Sequence, residues 1–189
     1  MAKIVQEAYS FGFGGLEMVV YEFHEWLSQN NHEAYVIVYD GSPIHLRLVL
    51  GGFERSTVVV SNKLSKFKKA FEIRRIFGSA DSSFIFHRHP TFIRLMQVGS
   101  RAKVSMLSHT FYKTKKRDLI HSFLFSKVDQ WIALTNSHMK NLIETTGVAP
   151  SKVRVIPNGV NLEIFSPKSR SRKCMTFHIG LVARLDQQK

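Results

Sequence analysis

Seven short runs rich in Val, Ile and aromatic residues recur along the chain, at 3–9, 34–39, 57–60, 83–87, 103–108, 129–135 and 152–156. They constrain the fold more than any other feature. Continuously apolar strands such as "AYVIVY" must be buried on both faces, the condition of a sheet covered by helices on each side. Between most of them lie segments with apolar residues at helical spacing, notably 15–29, 62–77, 115–127 and 137–146. The βαβα alternation predicts an α/β fold, a doubly wound parallel sheet. A chain of 189 residues can bury one such domain with a sizeable core, plus a remainder.

The remainder is legible too. After "NGVNLEIFSPKSRSRK", where Asn158-Gly159 marks a turn and Pro167 blocks regular structure, comes a last apolar run, "MTFHIGLVARL", at 175–185. A strand after a solvated linker opens a new domain. The expected organisation is a first domain over 1–165, a linker over 166–174, and the first strand and loop of a truncated second domain over 175–189.

Composition enters as a filter. Apolar residues at 44% and charged ones at 22% suit a soluble globular chain and exclude a disordered or collagen-like one. The single cysteine, Cys174, cannot form an internal disulfide and favours a reducing compartment. No run approaches the roughly 18 apolar residues of a membrane span, and the N-terminus lacks a signal-peptide stretch, so the expected location is cytoplasmic. Charge is the outlier: 27 Lys+Arg against 14 Asp+Glu leave +13, a field that draws a protein toward polyanions or an anionic bilayer.

Directly after the first strand the chain reads "FGFGGLEMVV". The peptide N–H groups of a turn entering a helix are unpaired and sit at the positive end of the helix dipole, so Gly14 and Gly15 form a candidate phosphate cradle. A dinucleotide fingerprint would require a third glycine at 17, where this chain has Glu17, and that carboxylate would repel a pyrophosphate. Nicotinamide and flavin cofactors are therefore not expected. The alternative is that Gly14-Gly15 form only a tight turn, with Glu17 set favourably against the dipole.

Ligands of doubly wound sheets bind beyond the carboxyl ends of the strands. His87 and His89 follow one strand in "SFIFHRHP", His109 follows another in "VSMLSHTF", and Asn136 and Ser137 follow a third. Asn136 or Ser137 is the expected N-cap of the next helix. His87 and His89 are candidates for the cleft, and their spacing without a nearby Cys or acid gives no metal site. His109 is the strongest candidate, as a neutral imidazole able to donate a hydrogen bond to a phosphate or sugar hydroxyl.

Three stretches in order, "GFGGLEMVVYEFHEWL", "VDQWIALTNSHMKNLIETTGVAPSKVRVIPNGVNLEIFSP" and "IGLVARLDQQK", resemble the family 4 glycosyltransferases. These are retaining sugar-nucleotide enzymes built from two Rossmann-like domains in the GT-B architecture. The resemblance implies that the chain is the acceptor-side, Rossmann-like half of such an enzyme, that Gly14 and Gly15 lie near the donor phosphate, and that Arg184 and Lys189 hold the donor diphosphate. Two fixed cations there would offset the charge that accumulates on a leaving diphosphate. The implied donor is a UDP- or GDP-linked sugar, with no metal or other cofactor, and His109 would hold donor sugar or acceptor. The family's second domain carries most of the nucleotide pocket and a spaced pair of glutamates, none of which lies before Lys189. These residues alone are therefore expected to transfer no sugar at a useful rate.

The basic residues cluster on "NKLSKFKKAFEIRRIF", with Lys63, Lys66, Lys68, Lys69, Arg74 and Arg75 opposed only by Glu72. Drawn as a helix, Leu64, Phe67 and Phe71 form one apolar stripe, and Ala70, Ile73 and Phe77 another. One stripe suits the core. The other, beside Lys63, Lys66, Lys68, Arg74 and Arg75, suits an anionic membrane surface, or else a loop tucked over Phe67 and Phe71. A second basic patch runs from Lys113 to Arg117. The combined expectation is a peripheral enzyme on the inner face of the cytoplasmic membrane, acting on a saccharide or lipid-linked acceptor in cell-surface polysaccharide or lipopolysaccharide synthesis. The rivals are a nucleic-acid-binding protein, for which no zinc-finger, RNP-like or helix-turn-helix signal is present, and a non-catalytic scaffold domain.

Overall fold

The computed structural model describes residues 3–78, 81–163, 165–166 and 180. Its strands are β1 (Lys3–Ala8), β2 (Ala34–Tyr39), β3 (Thr57–Val60), β4 (Ser82–Phe86), β5 (Lys103–Ser108), β6 (Gln130–Ala133) and β7 (Val153–Val155). All pair in parallel, in the order β3-β2-β1-β4-β5-β6-β7. The first three strands step one way from β1 and the last four step the other way from β4. The β1–β4 pair is thus the point at which successive connections diverge, the place where ligands of such sheets bind.

Among the described residues six α-helices cover the sheet: α1 (Gly15–Gln29), α2 (Pro43–Leu50), α3 (Lys66–Phe77), α4 (Phe92–Met96), α5 (Leu119–Ser126) and α6 (Asn136–Thr146). Val20 and Tyr21 of α1 and Ile44 and Leu48 of α2 pack with Val36 and Val38 of β2. A second and larger core joins Ile73 and Phe77 of α3, Phe125 of α5 and Leu142 of α6 to Val5, Phe84, Met106 and Trp131 of the strands. The expected α/β doubly wound sheet is present, with the apolar stripes of these helices turned onto it.

Local chemistry sets the helix starts. The side chains of Ser42, Ser65, Thr91, Asp118 and Thr135 accept the backbone N–H three residues on, each satisfying a donor that the helix leaves unpaired. The cap before α6 is Thr135, not Asn136 or Ser137, because Thr135 keeps extended backbone while Asn136 already opens the helix. Likewise α3 begins at Lys66 after the Ser65 cap, which places Lys63 and Leu64 outside the helix, with Leu64 packed against the core. The stripe Leu64–Phe67–Phe71 is therefore broken at its first member. Gly147, at φ 72°, ends α6 in the left-handed conformation that glycine adopts without strain.

Contacts group the chain into two units, Met1–Asn158 and Gly159–Lys189. Of the linker and opening strand expected over 166–189, all but Ser166 and Gly180 lie outside the described residues, including Arg184 and Lys189.

Candidate functional site

β1 carries the sequence KIVQEA and is buried over its last four residues, so Gln6 and Glu7 lie inside the molecule and require partners. Beyond it the glycine turn is pinned from several sides. The ring of Tyr39 stacks on Tyr9, with centroids 4.9 Å apart, and on Phe11 at 5.4 Å. The Gly12 N–H donates to Ser10 Oγ at 3.1 Å. The Gly14 N–H donates to Glu17 Oε2 at 2.9 Å, so the helix's own carboxylate fills part of the expected cradle and complements the dipole.

Gly15 differs from its neighbour. A Cβ built on it meets nothing within 4 Å, so internal packing does not demand glycine at this position. Open space remains over the first turn of α1, beside N–H groups that have no partner within the helix.

The next strands bring two histidines to the same edge. His87, directly after β4, is 4% exposed, and His109, directly after β5, is half-buried. His87 Nδ1 lies 3.1 Å from His109 Nε2, and the rings stack with centroids 5.3 Å apart. On its other side His87 Nε2 lies 3.1 Å from Gln6 Oε1, while Gln6 Nε2 donates to the Val20 carbonyl at 3.5 Å.

These contacts fix the protons. The Gln6 amide gives its N–H to a carbonyl, so its oxygen must accept, and His87 Nε2 carries the hydrogen. His87 Nδ1 is then an acceptor, filled by His109 Nε2–H. Burial pushes the His87 imidazole down to about 3, with the His109 charge adding to the effect, so the ring is neutral near pH 7. Burial, reinforced by His138, also holds His109 below the usual imidazole range, against the pull of Glu17.

The outcome is a neutral His109 whose free nitrogen, Nδ1, is a lone-pair acceptor. With its N–H directed to His87, His109 in this arrangement suits a hydroxyl more than an ionised phosphate. His87, the other candidate for the cleft, is 4% exposed and meets this edge through its contact with His109.

A second buried group braces the site. Arg94 of α4 donates through Nε to Glu7 Oε1 at 2.5 Å and through its guanidinium to the His89 carbonyl at 2.7 Å, tying α4 to β1 and to the loop after β4. Burial raises the Glu7 carboxyl even with Arg94 pulling it down. His89 packs edge-on against Tyr112, centroids 4.4 Å apart, and burial lowers its imidazole to about 4. His138 anchors the loop after β5, with Nε2 donating to the Thr110 carbonyl at 2.9 Å and Phe111 stacked on its ring at 5.0 Å.

Gly14, Gly15, His87, His89 and His109 thus gather at the carboxyl ends of β1, β4 and β5. The exposed rings of Phe11, Phe13 and Phe111 belong to the loops at this same edge. Gln6, Arg94 and His138 were not anticipated. The one signal for Gln6 was a polar pair inside an otherwise apolar first strand. Among the described residues no group of three or more His, Cys, Asp or Glu is placed to hold a metal.

The basic segment lies elsewhere. Phe67 is 53% and Phe71 62% exposed, so among the described residues no loop covers them, and Lys66, Lys68 and Arg75 flank them in solvent. Lys69 instead is buried, donating to the Asn62 carbonyl with its Nζ 4.5 Å above the Tyr39 ring. Arg74 is committed to structure, its Nη1 donating to the carbonyls of Met96 and Val98 at 3.2 and 3.3 Å. Among the described residues no helix is long and apolar enough to cross a membrane.

Comparison with known proteins agrees with this architecture. The sequence profile of the family described as Glycosyltransferase Family 4 matches residues 13–164. A phosphatidylinositol N-acetylglucosaminyltransferase subunit of Arabidopsis thaliana is 24% identical, covering 98% of this chain and 45% of that protein. The N-acetylgalactosamine-N,N'-diacetylbacillosaminyl-diphospho-undecaprenol 4-alpha-N-acetylgalactosaminyltransferase of Campylobacter jejuni is 23% identical, covering 100% of this chain and 57% of that protein. The chain thus spans about half the length of the curated relatives it matches. Among solved structures, a glycosyltransferase from Rickettsia africae superposes with a TM-score of 0.72 at 18% identity, over 91% of this chain and 47% of that one. Anabaena HepE in complex with UDP and glucose superposes with a TM-score of 0.61 at 12% identity, over 87% and 46%.

Proposed function

The chain belongs to Glycosyltransferase Family 4, and from that premise we propose that it forms the acceptor-side half of a retaining enzyme. That enzyme moves a sugar from a UDP- or GDP-linked donor to a hydroxyl of a lipid-linked saccharide. The observation that carries the proposal is the geometry of His109, a neutral imidazole held by His87 through one nitrogen at the carboxyl ends of β1, β4 and β5. A sugar hydroxyl is a donor that its other nitrogen can orient. The open space over Gly15 supports the same reading, because a phosphate could approach the unpaired N–H groups of α1 there.

Arg184 and Lys189 are proposed as the cations that meet the diphosphate, on their match to the family's motif. The acceptor class is supported by relatives named for phosphatidylinositol and undecaprenyl-diphosphate substrates. Exposed Phe67 and Phe71 among Lys63, Lys66, Lys68 and Arg75 suit an anionic membrane surface on which such an acceptor would sit.

The test is sugar transfer by the natural protein that carries these residues. His109→Ala is expected to lower kcat/KM by about 100-fold or more, the scale of one positioned polar group at the reacting centre. Unchanged transfer would remove His109 from the site. The 189 residues alone are expected to give no turnover with any sugar nucleotide.

A further inference from the structure

The hydrogen bonds of the glycine turn, Ser10 to Gly14, reach no further than four positions along the chain. None ties the turn to another strand. What reaches across is a ring: Phe11 stacks on Tyr39, the last residue of β2, and Tyr9 stacks on it as well. The Tyr9 hydroxyl is buried without a hydrogen-bond partner, so its place at the start of the turn depends on stacking and not on a polar bond.

Tyr39 is held in turn by a cation. Lys69, on the buried side of α3, is 6% exposed, and its Nζ lies 4.5 Å over the Tyr39 ring. The same Nζ donates at 3.2 Å to the carbonyl of Asn62, in the loop after β3. Among the described residues no carboxylate pairs with it. A buried ammonium without a counter-ion carries a desolvation cost that an apolar side chain of similar length would avoid, so filling the core does not account for a lysine here. What the charge supplies is attraction to the face of an aromatic ring, which strengthens where water is excluded. Along the neighbours β3, β2 and β1 a line of contacts therefore runs across their carboxyl ends, from Asn62 through Lys69 and Tyr39 to Phe11.

We propose that Lys69 is a positioning residue for the glycine turn. It fixes the Tyr39 ring on which Tyr9 and Phe11 stack, and so holds Gly14 and Gly15 where a donor phosphate would meet the first turn of α1. The consequence for the donor rests on the reading of that turn as the phosphate site, whereas the brace itself can be read with no ligand present.

The experiment compares Lys69→Met, Lys69→Arg, Tyr39→Leu and Tyr39→Phe in the natural protein that carries these residues. Hydrogen exchange by mass spectrometry follows the segment 9–18, and steady-state kinetics with UDP- and GDP-sugars separates KM from kcat. Lys69→Met and Tyr39→Leu are expected to speed exchange in that segment by about tenfold while α3 keeps its rates. Donor KM is expected to rise by about tenfold with a smaller change in kcat. Lys69→Arg keeps the cation and Tyr39→Phe keeps the ring face, so each is expected to restore both readouts. Because the buried charge is costly, Lys69→Met should hold its Tm within about 3 °C of wild type. Should Tyr39→Leu fail to fold, Lys69→Met against Lys69→Arg carries the test. Unchanged exchange at 9–18 in Lys69→Met overturns the proposal. So does exchange that rises equally through α3, or a collapsed Tm, either of which makes Lys69 a support of the fold alone. Faster exchange confined to the turn upholds the brace even where wild type binds no sugar nucleotide, a result that would strike the donor reading instead.

Discussion

His87 Nδ1 and His109 Nε2 lie 3.1 Å apart, and this contact decides which nitrogen of His109 carries the proton. Because Gln6 accepts from the far side of His87, the proton order runs outward from β1, and His109 is left with a bare Nδ1. Nitrogen-15 NMR of the imidazoles should therefore report His109 as the Nε2–H tautomer. In His87→Ala the constraint is gone, and a mixture of tautomers is expected. An unaltered single tautomer in the variant would place the constraint elsewhere.

The buried imidazoles set a pH dependence of stability. His87 is held down to about 3, and His24 and His89 to about 4, chiefly by burial in each case. All three are neutral when folded and take up protons on unfolding below the ordinary imidazole value of about 6.5. The unfolded chain binds more protons in that window, so stability is complete above it and is lost as pH falls toward 4. Glu7, raised by burial, acts with the opposite sign, its contribution being lost as pH rises through its folded value. Urea midpoints from pH 7.5 to 4.5 should fall with a slope corresponding to roughly two to three protons. A flat midpoint would show that these rings are not neutral in the folded chain.

Gly99 is required by packing in a way that Gly15 is not. A Cβ on Gly99 would collide with the Gly78 carbonyl oxygen, a backbone atom that cannot swing away. Gly99→Ala should cost about 1–3 kcal/mol, read as a lower urea midpoint at unchanged slope. An unchanged midpoint would mean that the turn after α4 yields freely.

Phe67 and Phe71 are more than half exposed, so Phe67→Ser/Phe71→Ser should change stability by no more than about 0.5 kcal/mol. The same pair should weaken sedimentation with anionic vesicles, and added salt should weaken it further. Indifference to both would remove α3 from the membrane surface.

Much of the sheet could be read from the sequence because its strands are short runs rich in Val, Ile and aromatic residues. The continuous run AYVIVY for β2 and the alternating run KVSMLS for β5 both match the observed bounds. The short helices α2 and α4 were not anticipated: each has only one or two turns, too few for a 3.6-residue period to stand out. At the site, placement after parallel strands was sufficient to find His87, His89 and His109, since position along a strand follows from the chain order. Their roles were not legible, because they depend on Gln6 and Arg94, contacts that bridge 81 and 87 positions of sequence. The same holds for α3, where Lys69 and Arg74 resemble their solvated neighbours in sequence yet bind backbone carbonyls.

The measurement closest to the central claim is calorimetric titration of UDP- and GDP-sugars into the natural protein carrying these residues, with Gly15→Ala and His109→Ala beside it. A Cβ at residue 15 meets open space, so Gly15→Ala should keep its Tm and yet lose affinity by about tenfold or more as the methyl blocks a phosphate. His109→Ala should lose a comparable amount with the same nucleotide. Wild-type affinity in both folded variants would contradict a sugar-donor site at the carboxyl ends of β1, β4 and β5.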